Sequence, residues 1–263
     1  MVMLTTALDC SQDKGKQFFI MAGFASSAER WSEFDRAWRK RLGEDGLVYF
    51  HMYSFTQCIH RAVGPFDETW IGKENEPRRR ALLVDLLDIV SEHAWHKVAC
   101  VLPTNSLRFF SDDTRKTFVP TLIATAGRLI WSDIEAWRKR ERFPKPSRMV
   151  FEDGDDEKGS LIDAMKEVTG RTPSFEAKKD DPAKDIEAFT PLQGADILAY
   201  ETQKLTQKFD QRFDIKLRFP YHQLEKISGD IRVLRPDGAK LMDEFLRVVN
   251  YFDKNPLGSA TVQ

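Results

Sequence analysis

The apolar positions of this chain fall into short runs that alternate with longer stretches in which apolar residues recur every three or four positions. Short apolar runs bounded by polar turns are typical of buried strands, and the three- or four-residue spacing is typical of amphipathic helices. Strands are predicted at residues 3–8, 17–25, 47–53, 98–102, 148–151 and 173–177. Helices are predicted from a cap at Ser26 and Ser27 to Leu42, and at residues 78–93, 118–137, 159–168, 193–209 and 237–252.

The order of these elements predicts the architecture. The first two strands are separated by a polar turn at residues 11–16, so they are expected to form a hairpin. After the hairpin, strands and helices alternate, which is typical of an α/β layer fold. We therefore expect one domain over residues 1–252, built as a mixed sheet flanked by helices as in the RNase H-like fold, and a flexible tail at residues 253–263.

Charge gives only a local argument for a nucleic-acid partner. The 263 residues carry a net charge of -1 with 31% charged residues, so positive and negative side chains are nearly balanced. Basic clusters occur at residues 36–41, 78–80 and 138–142, and Trp38 and Trp137 lie in or beside two of them. Such runs are usually solvated helix faces, although arginine and aromatic side chains together also bind nucleic acids. Nucleic acid is therefore a candidate partner.

Cysteine usage and the N-terminal residues indicate a cellular compartment. The three cysteines are odd in number and widely spaced, which fits reduced thiols better than a disulfide framework. The apolar run before Asp9 is only a few residues long and is followed by charged residues, unlike a signal peptide or a membrane span. We expect a soluble, cytoplasmic protein with no membrane partner.

Acidic residues follow three of the apolar runs, at Asp9, at Glu152 and Asp153, and at Asp196. Two-metal phosphoryl chemistry needs several carboxylates on one rigid edge, so these residues are candidate ligands for Mg²⁺ or Mn²⁺. Neighbouring strand residues face opposite sides, so Glu152 and Asp153 are rivals for one ion unless a bulge intervenes. In the alternative interpretation, Asp9 only opens the hairpin turn, and residues 152–157 only form a solvated acidic turn.

Two further residues are candidates for the same site. Gln193 and Asp196 are three positions apart, so they share one face of the predicted helix, where the Gln193 amide would orient a metal ligand. His51 is expected at a strand end, where it would act as a base, contact a phosphate or fill space between aromatic neighbours. Cys58 and His60 lack the second pair of ligands that a structural zinc site needs.

Several of these motifs together resemble the family called domain of unknown function 3800. They are Asp9-Cys10-Ser11, Phe50-His51-Met52, the acidic strand end Phe151-Glu152-Asp153, and Gln193-Gly194-Ala195-Asp196 before an apolar helix. The resemblance extends over nearly the whole chain. It implies an RNase H-like fold and an acid-cluster, metal-dependent nuclease, and it ranks Glu152 before Asp153 as the ligand. It names no substrate.

The chain departs from that family at its first motif, because Cys10 stands where the family usually has Glu and Gln12 where Gly is usual. Strand alternation limits the consequence, since Asp9 and residue 10 point to opposite faces. Two functions therefore stay open. The first is a nuclease or phosphodiester hydrolase in which Asp9 bridges two ions held by Glu152 and Asp196. The second is a catalytically inactive RNase H-like protein that binds nucleic acid or a protein partner.

Overall fold

A computed structural model describes residues 3–12, 17–105, 121–153, 157–210 and 218–233. In these residues the first two strands, β1 (Leu4–Gln12) and β2 (Phe18–Ser27), pair antiparallel as the predicted hairpin, with Asp9 opposite Ala22. Both strands are buried along most of their length because helices cover both faces.

Four further strands complete a mixed sheet. They are β3 (His96–Pro103), β4 (Arg148–Glu152), β5 (Ser174–Glu176) and β6 (Gly229–Val233). Strand β3 is antiparallel to β2, whereas β4 runs parallel to β1, β5 parallel to β4, and β6 parallel to β3. The order across the sheet is β5-β4-β1-β2-β3-β6. The three parallel strands β1, β4 and β5 therefore end at the same edge.

Seven helices lie in the described ranges: α1 (Ala28–Glu44), α2 (Met52–Gln57), α3 (Glu76–His93), α4 (Leu122–Arg140), α5 (Lys158–Thr169), α6 (Pro191–Asp210) and α7 (Phe219–Leu224). Short 3-10 turns occur at Glu68–Trp70, Lys73–Asn75 and Pro182–Lys184. The oxygen of Ser27 caps α1 by accepting the Arg30 N–H, as the sequence predicts. None of the helices in the described ranges is both long and apolar enough to cross a membrane.

The helices form two layers because the sheet is apolar on both faces. On one face, side chains such as Leu8 and Phe151 pack against α4 and α5. On the other, Ile20 and Phe24 pack against α1, α3 and α6. The predicted mixed sheet flanked by helices is thus confirmed.

The strand predicted at residues 47–53 is wrong, because these residues pair with no strand of the sheet and the helix α2 begins at Met52. Two of their backbone donors bond to side chains of α6 instead. The Phe50 N–H donates to Gln193 Oε1 at 2.7 Å, and the Met52 N–H donates to Asp196 Oδ2 at 2.6 Å. An apolar run can be extended and buried without joining a sheet when such side chains satisfy its backbone.

The remaining differences concern the ends of elements and the C-terminus. Within the described residues, the helix predicted at 118–137 begins at Leu122 and continues to Arg140. The predicted helix at 237–252 and the predicted tail at 253–263 lie outside the described residues. Strand β6 has no counterpart in the predicted elements.

Candidate active site at the edge of the sheet

The site lies at the carboxyl ends of β4 and β5, where the pairing of β1 with β4 also ends. Leu8 is paired with Phe151, and Phe151 with Phe175, so the next residues along the first two strands, Asp9 and Glu152, lie side by side. Side chains alternate along a strand, and Leu8 and Phe151 face α4 and α5, so Asp9 and Glu152 face the opposite layer. That layer contains α6, which carries Asp196.

The three carboxylates converge on the ammonium group of Lys178. Lys178 Nζ lies 2.8 Å from Asp9 Oδ1, 2.7 Å from Glu152 Oε2 and 3.7 Å from Asp196 Oδ1. The predicted convergence of Asp9, Glu152 and Asp196 on one edge is therefore confirmed. Lys178 itself was not predicted as a site residue. The only sequence signal for it is its position two residues after the strand β5, at the edge where the carboxylates were expected.

Glu152 and Asp153 face different partners. The Glu152 carboxylate contacts Lys178, whereas Asp153 Oδ1 accepts from Lys158 Nζ at 2.6 Å and its side chain is more than half exposed. Ordinary strand alternation explains this difference without a bulge. The geometry therefore favours Glu152 over Asp153 as a member of the acidic group.

Asp196 connects the acidic group to the segment before α2. Its Oδ2 accepts the Met52 N–H, while its Oδ1 faces Lys178 and lies 3.9 Å from His51 Nε2. The Nδ1 atom of His51 lies 2.9 Å from Ser54 Oγ, which fixes the ring beside Asp196. The His51 side chain is 37% exposed, so it lies at the entrance of the site and not in the core.

Gln193 holds the backbone on both sides of the site. Its side chain is buried, and its Oε1 accepts from Trp38 Nε1 at 2.8 Å and from the Phe50 N–H at 2.7 Å. Its Nε2 donates to the carbonyl oxygen of Lys178 at 2.7 Å. Gln193 thus supports the site as an orienting amide, acting on the segments that carry His51 and Lys178.

Burial dominates the electrostatics of Asp9. The residue is only 2% exposed, and burial raises the pKa of its carboxyl well above the ordinary value, although Lys178 opposes the shift. Asp196 and Glu152 raise the pKa of Asp9 further. Of Asp9 and Glu152, Asp9 is therefore the carboxyl group that holds a proton more readily.

The pKa values of Lys178 and Glu152 are shifted in the directions that keep both groups charged. Burial, the largest single cause, would raise the pKa of Glu152, but Lys178, Asp9 and His51 together outweigh it and the pKa is lowered. Burial alone would lower the pKa of Lys178, but Asp9, Asp196 and Glu152 outweigh it and the pKa is raised. Even when Asp9 is protonated, one ammonium faces the carboxylates of Glu152 and Asp196, so the group favours a further positive charge.

The donor chemistry of this group fits a hard divalent cation, because carboxylate oxygens are the ligands that Mg²⁺ and Mn²⁺ prefer. The carboxylate oxygens are not arranged as a coordination shell for a metal ion. Within the part of the chain that the structure describes, no group of three or more His, Cys, Asp or Glu side chains is arranged to hold a metal ion. Lys178 Nζ lies between the carboxylates, so a metal ion would have to replace this ammonium group.

The acidic group opens into a cleft of about 870 Å³. Besides the site residues, its walls carry Tyr49, Tyr53, Tyr200, Lys179 and Lys204. The acidic group is thus accessible to a ligand larger than a metal ion.

The basic clusters singled out in the sequence make contacts elsewhere. Arg39 binds Asp35 and Asp180, both at 2.9 Å or less, and Arg41 binds Asp45. Arg138 is paired with Glu135, which is buried in α4. These arginines stabilise the helical layers through ion pairs, and the cations nearest the acidic group are lysines.

Comparison of the chain with protein-family models, with curated proteins and with solved structures found no match.

Proposed function

We propose that this protein is a divalent-metal-dependent nuclease, or a related phosphodiester hydrolase, of RNase H-like fold. The convergence of Asp9, Glu152 and Asp196 from β1, β4 and α6 is the observation that carries the proposal. An antiparallel hairpin followed by parallel strands, with carboxylates at their common edge, supports the RNase H-like interpretation.

The carboxylates of Asp9, Glu152 and Asp196 would hold Mg²⁺ or Mn²⁺. Such ions, when bound, neutralise phosphate charge and lower the pKa of a coordinated water. The rigid strand and helix backbones fix the carboxylates, and the Met52 N–H fixes the second oxygen of Asp196. His51 lies next to Asp196 at the entrance, where it can contact a phosphate or transfer a proton.

One observation favours the second candidate, a catalytically inactive protein that binds nucleic acid or a protein partner. Lys178 already provides a cation at the centre of the acidic group. A buried ammonium that pairs with carboxylates also serves a purely structural role. The two candidates differ in whether a divalent ion replaces Lys178.

Calorimetry with Mg²⁺ and Mn²⁺ tests the metal site. Binding is expected for the wild-type protein and is expected to be lost in Asp196→Asn, which keeps an oxygen to accept the Met52 N–H. Asp153→Asn is the matched control, since its carboxylate faces Lys158, and it should bind metal like the wild type. An absence of binding at millimolar metal would refute the metal site.

A cleavage assay over single- and double-stranded DNA and RNA tests the reaction. Cleavage is expected only with divalent metal, and Asp9→Asn should remove cleavage while leaving nucleic-acid binding largely intact. Tight binding that needs no metal, together with no cleavage of any substrate, would favour the inactive binding protein.

A further inference from the structure

One wall of the cleft is aromatic. Tyr49, Tyr53 and Tyr200 all line the same cleft as the acidic group, and Tyr53 is 38% exposed. A lysine accompanies two of these rings. Lys179 Nζ lies 5.8 Å from the centroid of Tyr49, and Lys204 Nζ lies 5.1 Å from that of Tyr200. Aromatic rings that are partly open to solvent and lie beside lysines are typical of nucleic-acid-binding grooves.

The depth of the acidic group decides how a substrate reaches it. Asp9 and Asp196 are 2% and 7% exposed, so a phosphodiester has to enter the cleft to contact them. The cleft volume of about 870 Å³ is near the upper end of the range of roughly 300–1,000 Å³ that encloses a whole small ligand. It therefore has room for the bases and phosphates that flank the phosphodiester at the acidic group.

An aromatic wall of this kind favours single strands over duplexes. Bases in a duplex are already stacked and paired, so they have no free face to offer a tyrosine ring. Unpaired bases stack on such rings whatever their sequence, and nearby lysines contact the backbone phosphates.

We infer that this cleft binds a single-stranded segment of nucleic acid. Its bases stack on Tyr49, Tyr53 and Tyr200, and its phosphates lie near Lys179 and Lys204. This inference deepens the proposed phosphodiester chemistry and rests on it, because it assigns the substrate class of the same site.

Fluorescence anisotropy with labelled strands of roughly 12 nucleotides tests the inference in EDTA, so that metal binding and cleavage play no part. Single-stranded DNA and RNA are measured in separate arms beside the matching duplex, and both single strands are expected to bind at least about tenfold tighter. Tyr53→Ala is expected to weaken single-strand binding by about tenfold, since stacking contributes this much per base. Tyr53→Phe keeps the ring and should bind like the wild type.

A charge-matched pair of double variants tests the lysines. Lys179→Gln with Lys204→Gln should weaken single-strand binding and reduce the slope of log affinity against log salt by about 1.4. Lys40→Gln with Lys226→Gln removes the same charge from exposed positions that do not line the cleft, and should change neither quantity by a comparable amount. Equal affinity for single strands and duplex, or equal effects of the two double variants, would overturn the inference.

The outcomes separate this inference from the nuclease proposal. If single-strand binding depends on Tyr53 but calorimetry shows no metal binding, the inference is supported and the nuclease proposal is refuted. Metal binding that is lost in Asp196→Asn, found in a protein that binds no strand, refutes the inference and leaves a hydrolase of some other phosphodiester.

Discussion

Replacing Lys178 by methionine isolates the contribution of the ammonium group at the centre of the site. Methionine has a similar length and no charge, so Lys178→Met leaves three carboxylates facing one another with no counter-charge. The Lys178 side chain is 11% exposed, and those of Asp9 and Asp196 are 3% and 10% exposed, so water screens these charges weakly. Glu152 is better solvated, at 38%.

The size of the effect follows from this burial. Removing one partner of a buried ion pair costs about 3–5 kcal/mol. Because Glu152 is partly solvated and Asp9 takes up a proton readily, we expect the lower end, about 3 kcal/mol. In a protein of this size that corresponds to a fall in the melting temperature of roughly 6–12 °C. Lys179→Met is the matched control, since that neighbouring lysine is exposed, and it should change stability by less than about 0.5 kcal/mol.

Thermal unfolding in EDTA and in millimolar Mn²⁺ gives the readout. A divalent ion that binds only the folded protein stabilises it by mass action. In the wild-type protein the ion has to displace a charged ammonium that is paired with the carboxylates, whereas in Lys178→Met it has to displace only an uncharged, flexible side chain. The metal should therefore raise the melting temperature of Lys178→Met more than that of the wild type. Equal melting temperatures of Lys178→Met and Lys179→Met in EDTA, or equal metal responses, would refute this reasoning.

Three further predictions concern the frame of the site and the stability of the fold. Gln193→Ala leaves two buried donors and a carbonyl without their partner. Urea unfolding should therefore show that the free energy of unfolding falls by about 3 kcal/mol. A fall of less than about 0.5 kcal/mol would contradict the role given to Gln193. Burial raises the pKa of the Glu201 carboxyl from 4.5 to about 7. Its protonated form therefore stabilises the fold fully below about pH 4.5, and this contribution of about 3 kcal/mol is lost as the pH rises through about 7. Calorimetry should show that Glu201→Gln removes this pH dependence, and an unchanged slope of the unfolding free energy against pH would contradict the prediction. Gly229 has a φ of +140°, and Gly229→Ala would place a Cβ 1.9 Å from the carbonyl oxygen of Lys97. Denaturation should therefore show that the free energy of unfolding falls by at least about 2 kcal/mol. Gly43→Ala is the control, because the space around Gly43 is open, and it should be neutral or stabilising.

The sequence predicted those parts of the fold that short-range patterns specify. The hairpin, α1 and α6 follow from apolar runs and from three- or four-residue spacing, and these patterns depend on neighbours along the chain. The meeting of Asp9 and Glu152 was predictable because parallel strands carry their final residues to one edge of the sheet. Asp196 lies on the helix α6, and its place beside them was expected from the motif of Gln193 and Asp196.

The rest depends on contacts between distant residues. The run at residues 47–53 has the composition of a strand, and only the side chains of Gln193 and Asp196 show why it pairs with no strand. Strand β6 is short and polar in part, and its pairing with β3 makes it a strand. Lys178 is one of many lysines, and nothing in its local sequence indicates that three carboxylates surround it.

The hydrogen bonds of Gln193 have a consequence for how the site is acquired during folding. They join Gln193 to Phe50 and Trp38, which lie 143 and 155 positions away along the chain. A fragment that ends before α6 lacks Asp196 and also lacks the acceptor for the Phe50 N–H. Contacts of this range require long loops to close, which costs entropy and slows folding. The acidic group is complete only when α6 has docked, so a metal response in solution would report that α6 has reached its native place.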